Sequence, residues 1–187
     1  MTVILLAAGL AERMGRNKLL LPFRHTTVLG SVIEAVQGAG CNLLIVTGHE
    51  RERIEAEARR YSAPTIFAED YSQGQKWSTM KGIEAVRDDD FAILPGDLPL
   101  LKPCDILSTA AMLDEYTIAR ASYISTPGHP VCFRREHREK LLSFKGTMKE
   151  YLSNWEIGHC QASEGCVLDV DTPERYVQAT GKAMAGG

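Results

Sequence analysis

The sequence has no paired-cysteine motif and no excess of positive charge. Its five cysteines are an odd number, and no two of them are spaced as C-x-x-C. This usage disfavours a disulfide framework or a zinc site and suits a reducing, cytoplasmic environment. The formal net charge is −3 over 187 residues. That balance argues against a general nucleic-acid binder, which carries a broad basic face, although a local basic loop is compatible with it.

Long apolar runs are also missing. The first run, TVILLA at residues 2–7, spans about six residues, far fewer than a membrane span needs, and no charged leader precedes it. We therefore expect neither a signal peptide nor a membrane segment. Apolar residues make up 44% and charged residues 24%, as in globular proteins. No repeat or linker divides the chain, so we predict a single domain over residues 1–187, with 183–187 as a tail.

Short apolar runs alternate with helical patterns through the first 115 residues. Runs of this kind, without polar residues between the apolar ones, predict strands buried on both faces of a sheet. They occur at residues 2–7, 42–48, 64–68 and 91–97. Four rounds of strand and helix predict an α/β fold with a mostly parallel sheet and helices on both faces.

The pattern changes after residue 115. Two separate strands and two short helices are predicted, at TIARASYIS, HPVCFRR, EHREKLLSF and TMKEYLSN. A closing helix begins at Pro173, with Thr172 as its cap. This half is expected to add strands and a substrate lobe to the same sheet.

The opening loop, LLAAGLAERMGRNK at residues 5–18, leaves the first strand and loses most of its side-chain bulk. Ala7, Ala8 and Gly9 allow a ligand to approach the backbone closely, and Gly15 lets the chain turn back. In open α/β sheets, ligands bind beyond the carboxyl ends of the strands, which is where this loop lies.

Three cations follow in the same loop: Arg13, Arg16 and Lys18. Backbone N–H groups combined with Arg and Lys are a recurring way to hold a polyphosphate. The loop matches neither the P-loop pattern G-x-x-x-x-G-K-S/T nor the Rossmann pattern G-x-G-x-x-G. A surface loop with incidental cations is the alternative.

Asp97 follows Gly96 at the end of the fourth strand, between Pro95 and Pro99. A carboxylate at this edge suits a magnesium ion shared with substrate phosphates, whereas the alternative is a turn aspartate that bonds its own backbone. Asp169 and Asp171 are expected to share one face of a short strand and to supply a second carboxylate. For Asp171 the alternative is a role in starting the closing helix.

Five motifs in a fixed order make the chain recognisable. LLAAGLAERMGRNKLLLPF, GQKWSTMKG, PGDLPLL, GHPVCF and DVDTPERY resemble the molybdenum-cofactor nucleotidyltransferase family, and more closely its cytidylyltransferase branch. The resemblance covers about residues 2–178. It implies a three-layer, Rossmann-like nucleotide-diphospho-sugar transferase fold, with an NTP-binding half at 1–101 and an acceptor-side half at 102–182.

The resemblance also implies a reaction. A phosphate of a molybdopterin-type acceptor attacks the α-phosphorus of CTP, pyrophosphate leaves, and Mg²⁺ assists. It implies as a further partner a molybdoenzyme that receives the cofactor, and it implies no nucleic-acid or membrane partner. CTP is favoured over GTP because this chain has LAAG at residues 6–9, as the cytidylyl branch does, whereas the guanylyl branch has LAGG. A residue smaller than alanine at position 8 would leave room for a larger base.

Roles for individual residues follow from the same resemblance. Lys18, Arg13 and Asp97 are the implied catalytic residues, with Lys18 stabilising the charge of the transition state, and Asp97 and Asp171 hold the metal with Asp169 in reserve. The implied nucleotide contacts are Leu6, Ala7, Ala8, Gly9, Gly15, Ser78 and Gly96. The implied acceptor contacts are Gly128 and His129, with His129 a polar contact or structural residue in preference to a general base.

The sequence departs from the family pattern at two places. The family carries a loop resembling G-D-x-G-A-R, and here the stretch is SFKGTMKE at 143–150, where only Gly146 matches. Trp77 replaces a small residue and is expected either to stack on a ring or to pack inward. Two other functions therefore stay open: transfer to a sugar or polyol phosphate, and non-catalytic escort of a nucleotide or cofactor.

Overall fold

The computed structural model describes residues 1–9, 17–87 and 89–185. The strands are β1 Thr2–Ala7, β2 Pro22–Phe23, β3 Thr26–Thr27, β4 Asn42–Thr47, β5 Thr65–Phe67, β6 Phe91–Pro95, β7 Ile118–Tyr123, β8 Thr126–Phe133 and β9 Gly158–Gln161. The helices are α1 Val28–Gly38, α2 Arg51–Arg60, α3 Gln75–Ala85, α4 Pro103–Ala111, α5 His137–Ser143, α6 Met148–Leu152 and α7 Pro173–Ala185.

Seven strands form one sheet in the order β5-β4-β1-β6-β8-β7-β9. The strands β5, β4, β1 and β6 run parallel to one another, β8 is antiparallel to β6 and β7, and β9 is parallel to β7. The predicted α/β fold and mostly parallel sheet are confirmed. The same sheet continues from the first half of the chain into the second.

Helices cover both faces of the sheet, and β1 shows how one strand serves both. Val3, Leu5 and Ala7 belong to the core beneath α1, α2, α4 and α7. Ile4 and Leu6 belong to the core beneath α3, α5 and α6. Because successive side chains of a strand point to opposite faces, a strand covered on both sides is apolar at every position.

Gly82 lies within α3, where a glycine ordinarily weakens a helix. A Cβ at this position would lie 2.3 Å from Cγ2 of Ile4 in β1. The glycine therefore lets α3 pack closely on the sheet, and this packing fixes the position of the first turn of α3 at the sheet edge.

Three parts of the second half differ from expectation. The two predicted strands form the β7–β8 hairpin, and the β9 edge strand was not predicted from its polar sequence GHCQ. Asp169 and Asp171 were expected on a strand, but residues 168–171 form no strand. Among the described residues, no helix is long and apolar enough to cross a membrane.

Candidate active site

The carboxyl ends of β1 and β6 lie side by side at one edge of the sheet. After β1, the chain adds β4 and β5 on one side of β1 and then returns to add β6 on its other side. The direction in which strands are added to the sheet therefore reverses between β1 and β6. A crevice at such a reversal is where open α/β sheets bind ligands. The backbone N–H of Gly96 donates to the carbonyl of Leu6 at 2.9 Å. A Cβ on Gly96 would lie 3.0 Å from that carbonyl, so the glycine permits the close approach.

A cavity of about 540 Å³ opens at this edge and is called the edge cavity. Its wall contains most of the residues that the sequence singles out. They are Leu6, Ala8, Gly9, Lys18, Ser78, Gly96, Asp97, Gly128, His129, Asp169 and Asp171. The fold thus brings the described ends of the opening loop, the end of β6, the β7–β8 hairpin and the segment before α7 to one place.

Ala7 is an exception among the predicted contacts. It lies in the core with Val3 and Leu5 rather than on the cavity wall, because the alternation along β1 turns its side chain toward that core. Arg13, Gly15 and Arg16 lie outside the described residues.

Lys18 is held at the base of the opening loop. The side chain of Asn17 accepts a hydrogen bond from the backbone N–H of Leu19 at 3.1 Å and caps the short 3₁₀ turn at Lys18–Leu20. The Lys18 ammonium donates hydrogen bonds to Oδ2 of Asp97 and Oδ1 of Asp171. Burial opposes the charged form, but the charges and hydrogen bonds of the two carboxylates outweigh it, and the pKa of Lys18 is raised. Lys18 is therefore cationic at neutral pH.

Asp97 points into the cavity and makes no hydrogen bond with its own turn, so the alternative of a turn aspartate is not observed. Its Oδ2 accepts from Lys18, and its buried Oδ1 has no hydrogen-bond partner among the described residues. Burial raises the pKa of Asp97, and the charges of Asp169 and Asp171 act in the same direction while Lys18 opposes them. A buried carboxylate oxygen without a partner is costly, unless a bound cation satisfies it.

The segment before α7 reaches the site through its backbone. The N–H of Val170 donates to the carbonyl of Asp97 at 3.0 Å, which brings Asp171 to Lys18. Thr172 caps α7 by accepting from the N–H of Arg175, as predicted. Asp169 pairs with the guanidinium of Arg175 at the rim.

These carboxylates fit a hard divalent cation in part. Carboxylate oxygens are ligands that Mg²⁺ accepts, and it commonly takes the rest of its ligands from water and substrate phosphates. In the part of the chain that the structure describes, no cluster of three or more His, Cys, Asp or Glu residues could hold a metal alone. The pair Asp97 and Asp171 therefore suits a metal that arrives with, or is completed by, a phosphate.

The amino end of α3 faces the same cavity. Gly74 precedes the helix without a side-chain cap, and Gly74, Gln75 and Ser78 line the cavity wall. Unpaired N–H groups at a helix amino end favour an anion. Ser78 was singled out by the resemblance and Gly74 begins the same motif, whereas Tyr71, which also lines the cavity, carried no signal in the sequence.

Gly128 and His129 lie on β8 where the hairpin meets the cavity. A Cβ on Gly128 would lie 2.4 Å from the carbonyl oxygen of Cys166, so this glycine permits close packing as well as lining the wall. Nδ1 of His129 is buried without a partner among the described residues. Burial, with the charge of Arg120, lowers the pKa of His129 to about 4. His129 is thus neutral at physiological pH and only weakly basic.

His129 should make the protein less stable in acid. The unfolded chain binds a proton at an ordinary histidine pKa, whereas the folded chain binds it only near pH 4. Below pH 6.5 the unfolded state holds more protons, so the free energy of unfolding falls, by about 2 kcal/mol between pH 7 and pH 4.5 from this residue. Urea unfolding at both pH values should show a smaller loss for His129→Gln. The exposed control His25→Gln should match wild type, and an equal loss in all three proteins would contradict the assignment.

A second cavity, called the side cavity, has a volume of about 830 Å³. Gln75, Pro127 and His129 line both cavities. The departing loop at 143–150 contributes Phe144, Gly146, Thr147 and Met148 to the side cavity.

Trp77 does not pack inward. It is 46% exposed and lies in a surface groove formed by residues 68–84 and 142–145 rather than in either cavity. Its position on α3 turns the indole away from the core and from both the edge cavity and the side cavity.

Comparison with known proteins agrees with this geometry. The model of the MobA-like NTP transferase domain matches residues 3–156. The chain is 26% identical to the molybdenum cofactor cytidylyltransferase of Escherichia coli K12, over 94% of this chain and 93% of that protein. It is 27% identical to the purine catabolism protein PucB of Bacillus subtilis 168, over 92% of each.

Solved structures share the fold. Rv0371c of Mycobacterium tuberculosis H37Rv is 24% identical and superposes with a TM-score of 0.85, over 96% of each chain. A structure of Rv0371c in complex with manganese superposes with a TM-score of 0.80, over 96% of this chain and 97% of that one. The family match covers most of the chain and includes Lys18 and Asp97 of the edge cavity, whereas Asp169 and Asp171 follow the matched residues. The chain belongs to the MobA-like NTP transferase family and is a nucleotidyltransferase.

Proposed function

We propose that this enzyme transfers CMP from CTP to the phosphate of a molybdopterin-type acceptor, with Mg²⁺ and with release of pyrophosphate. The observation that carries the proposal is the meeting of Lys18, Asp97 and Asp171 at the sheet edge, beside a second cavity that can hold an acceptor. The E. coli relative, named as a molybdenum cofactor cytidylyltransferase, supports this choice of nucleotide and acceptor.

The reaction needs positioning and charge neutralisation more than covalent help from the protein. An oxygen of the acceptor phosphate forms a bond to the α-phosphorus of CTP, and the bond between that phosphorus and the bridging oxygen of pyrophosphate breaks. The attacking oxygen is already anionic, so no general base is required. This agrees with a neutral His129, whose low pKa of about 4 suits a positioning contact.

Two parts of the chain are suited to the charges of this reaction. Lys18 supplies a fixed positive charge where negative charge grows in the transition state. Asp97 and Asp171 would hold the magnesium ion, and the unpartnered Oδ1 of Asp97 supports this role. When bound, the ion neutralises phosphate charge and polarises the reacting phosphate. The manganese complex of Rv0371c supports a divalent metal here.

The direct test measures pyrophosphate release by the purified protein with CTP, Mg²⁺ and purified molybdopterin cofactor. We expect release that needs all three components, and a CMP-linked product by mass spectrometry. Release with a sugar or polyol phosphate in place of molybdopterin would favour the broader acceptor alternative. Binding of CTP without release from any acceptor would favour the escort function, although the assembled Lys18, Asp97 and Asp171 argue against it.

Base selection provides a further test. Ala8 is buried on the wall of the edge cavity, and we propose that its methyl group helps to exclude a purine. Isothermal titration with Mg²⁺ is expected to give CTP an affinity about tenfold above GTP, as one methyl group in a pocket can do. Ala8→Gly should bring the two affinities together. A GTP preference in the wild-type protein would contradict cytidylyl transfer while leaving nucleotidyl transfer in place.

A further inference from the structure

The side cavity opens from the place where the acceptor phosphate must enter. It shares Gln75, Pro127 and His129 with the edge cavity, and its volume of about 830 Å³ can hold a body larger than a simple sugar phosphate. Neither the family match nor the names of the relatives assign a role to the residues of its wall.

The charged side chains that line the side cavity are cationic, and the Glu150 carboxylate lies just outside this lining, beside Gly146 and Thr147. Lys76, Arg120 and Lys149 line the cavity, and no carboxylate does so among the described residues. The Lys76 ammonium donates to the carbonyl of Lys145 at 2.8 Å, and Lys149 is exposed at the rim. Arg120 alone of the three is partly buried in the wall.

Arg120 is a cation without a counter-ion. It projects from β7, and its Nε donates to the carbonyl of Gly128 at 2.9 Å. This bond fixes the guanidinium beside the hairpin, while its two terminal nitrogens have no hydrogen-bond partner and no carboxylate pairs with them in the described chain. A partly buried guanidinium is stabilised by a charged acceptor, and its planar fork suits a carboxylate, sulfonate or phosphate.

Most of the other lining side chains are apolar or aromatic, and Gln75, Thr79, Thr147 and Ser153 add uncharged polar groups. Phe144 and Tyr151 meet edge to face, with ring centroids 5.3 Å apart, and Met80, Met148 and Leu152 lie beside them. Methionine and aromatic side chains adapt to a flat apolar or heteroaromatic body. A ring body buries more apolar surface against these side chains than a polyol does.

We infer that the side cavity binds the body of the acceptor, and that Arg120 binds an oxyanion on that body, distinct from the phosphate that attacks. The acceptor is then a ring-containing anion with at least two acidic groups, rather than a polyol phosphate. This inference rests on the proposed function only in calling the ligand an acceptor. The binding chemistry itself is tested without nucleotide or metal.

The test compares two fluorescent probes that share a ring body and differ in one anion. Anilinonaphthalene sulfonate carries the sulfonate, and N-phenyl-1-naphthylamine lacks it. Both are titrated into the full chain. Arg120→Met is expected to weaken binding of the sulfonate by about tenfold or more, as loss of a charge-assisted hydrogen bond does. The neutral amine should keep its affinity within about twofold, since it makes no such bond.

Two variants show whether the probes occupy this cavity. Ser153→Trp places an indole at the exposed mouth and should abolish binding of both probes. Arg59→Met removes an exposed arginine of α2 and should change neither affinity. Circular dichroism checks that each variant is folded. Where Arg120→Met does not fold, Arg120→Lys carries the test, because it keeps the charge but loses the fork, and only the sulfonate should bind more weakly.

Several results would overturn the inference: sulfonate affinity that does not depend on Arg120, equal losses for both probes, or binding that survives Ser153→Trp. None of them bears on pyrophosphate release from CTP. Conversely, failure of the enzyme to release pyrophosphate with any acceptor would overturn the proposed function and leave the titrations unaffected.

Discussion

Replacement of Asp97 by asparagine is expected to lower kcat for pyrophosphate release from CTP at least about 1000-fold, because a neutral amide replaces the carboxylate that best suits the divalent cation. The fold should be unaffected. The Asp97 side chain contacts Lys18, and its Oδ1 contacts no other polar group in the described chain, so no structural hydrogen bond besides that ion pair depends on it. Steady-state kinetics with CTP and Mg²⁺ measure the loss, and thermal unfolding checks the fold.

Asp169→Asn is the matched control for this prediction. Asp169 lies on the same cavity wall and pairs with Arg175 at the rim, so the same chemical change removes a charge from the site without removing the buried carboxylate. We expect the control to reduce kcat by less than about tenfold, as for an exposed ion pair. Near-normal activity in Asp97→Asn would contradict the assignment of the metal to Asp97. An equally severe loss in Asp169→Asn would mean that Asp169 also holds the metal.

Direct binding of Mn²⁺ separates metal loss from other damage. Electron paramagnetic resonance reports free Mn²⁺, so it can follow binding in the presence of CTP without turnover of an acceptor. Asp97→Asn should bind Mn²⁺ much more weakly than wild type, while Asp169→Asn should resemble wild type. This readout does not depend on which acceptor the enzyme uses.

The parallel half of the fold was predictable because its strands are buried on both faces. An uninterrupted apolar run such as β1 has few other stable places in a chain of this size. Once the strands are known to be parallel, their carboxyl ends share an edge, and Gly9 and Asp97 must lie near each other. The encounter of the opening loop with the end of β6 therefore followed from the topology.

The side-chain placements that differ from expectation depend on geometry that local patterns do not contain. Ala7 was grouped with Ala8 and Gly9 as a small residue, yet the alternation that buries Val3 and Leu5 also turns Ala7 into the core. Asp169 and Asp171 alternate as in a strand, but the segment is held by the backbone bond from Val170 to Asp97 instead of by a neighbouring strand.

The acceptor side was least accessible from the sequence. Its wall is assembled from α3, β6, β7, β8 and the segment at 141–157, which are far apart in the chain. Arg120 in particular stands in a strand among small residues, where nothing distinguishes it from a surface cation. Its significance depends on the absence of a carboxylate partner in the described chain, which only the packed structure can reveal.

Replacement of Lys18 by methionine is expected to lower kcat about 100- to 1000-fold while raising KM for CTP less than about tenfold. The reason is that the positive charge of Lys18 is needed most in the transition state. In the structure the Lys18 ammonium bridges Asp97 and Asp171, so these carboxylates and the phosphates of a bound substrate compete for it. Negative charge grows on the substrate while one P–O bond forms and another breaks. The contact between Lys18 and the substrate is therefore stronger in the transition state than in the ground state.

The same bridge makes a second measurement informative. Methionine removes the positive charge between the two carboxylates, so Mn²⁺ should bind Lys18→Met without nucleotide at least as tightly as it binds wild type, in contrast to Asp97→Asn. Lys182→Met, which removes an exposed lysine paired with Glu164, should leave kcat, KM and Mn²⁺ affinity unchanged. An effect of Lys18→Met confined to KM would mean that Lys18 binds ground-state phosphate only. Weakened Mn²⁺ binding would mean that the lysine organises the carboxylates rather than competing with the metal for them.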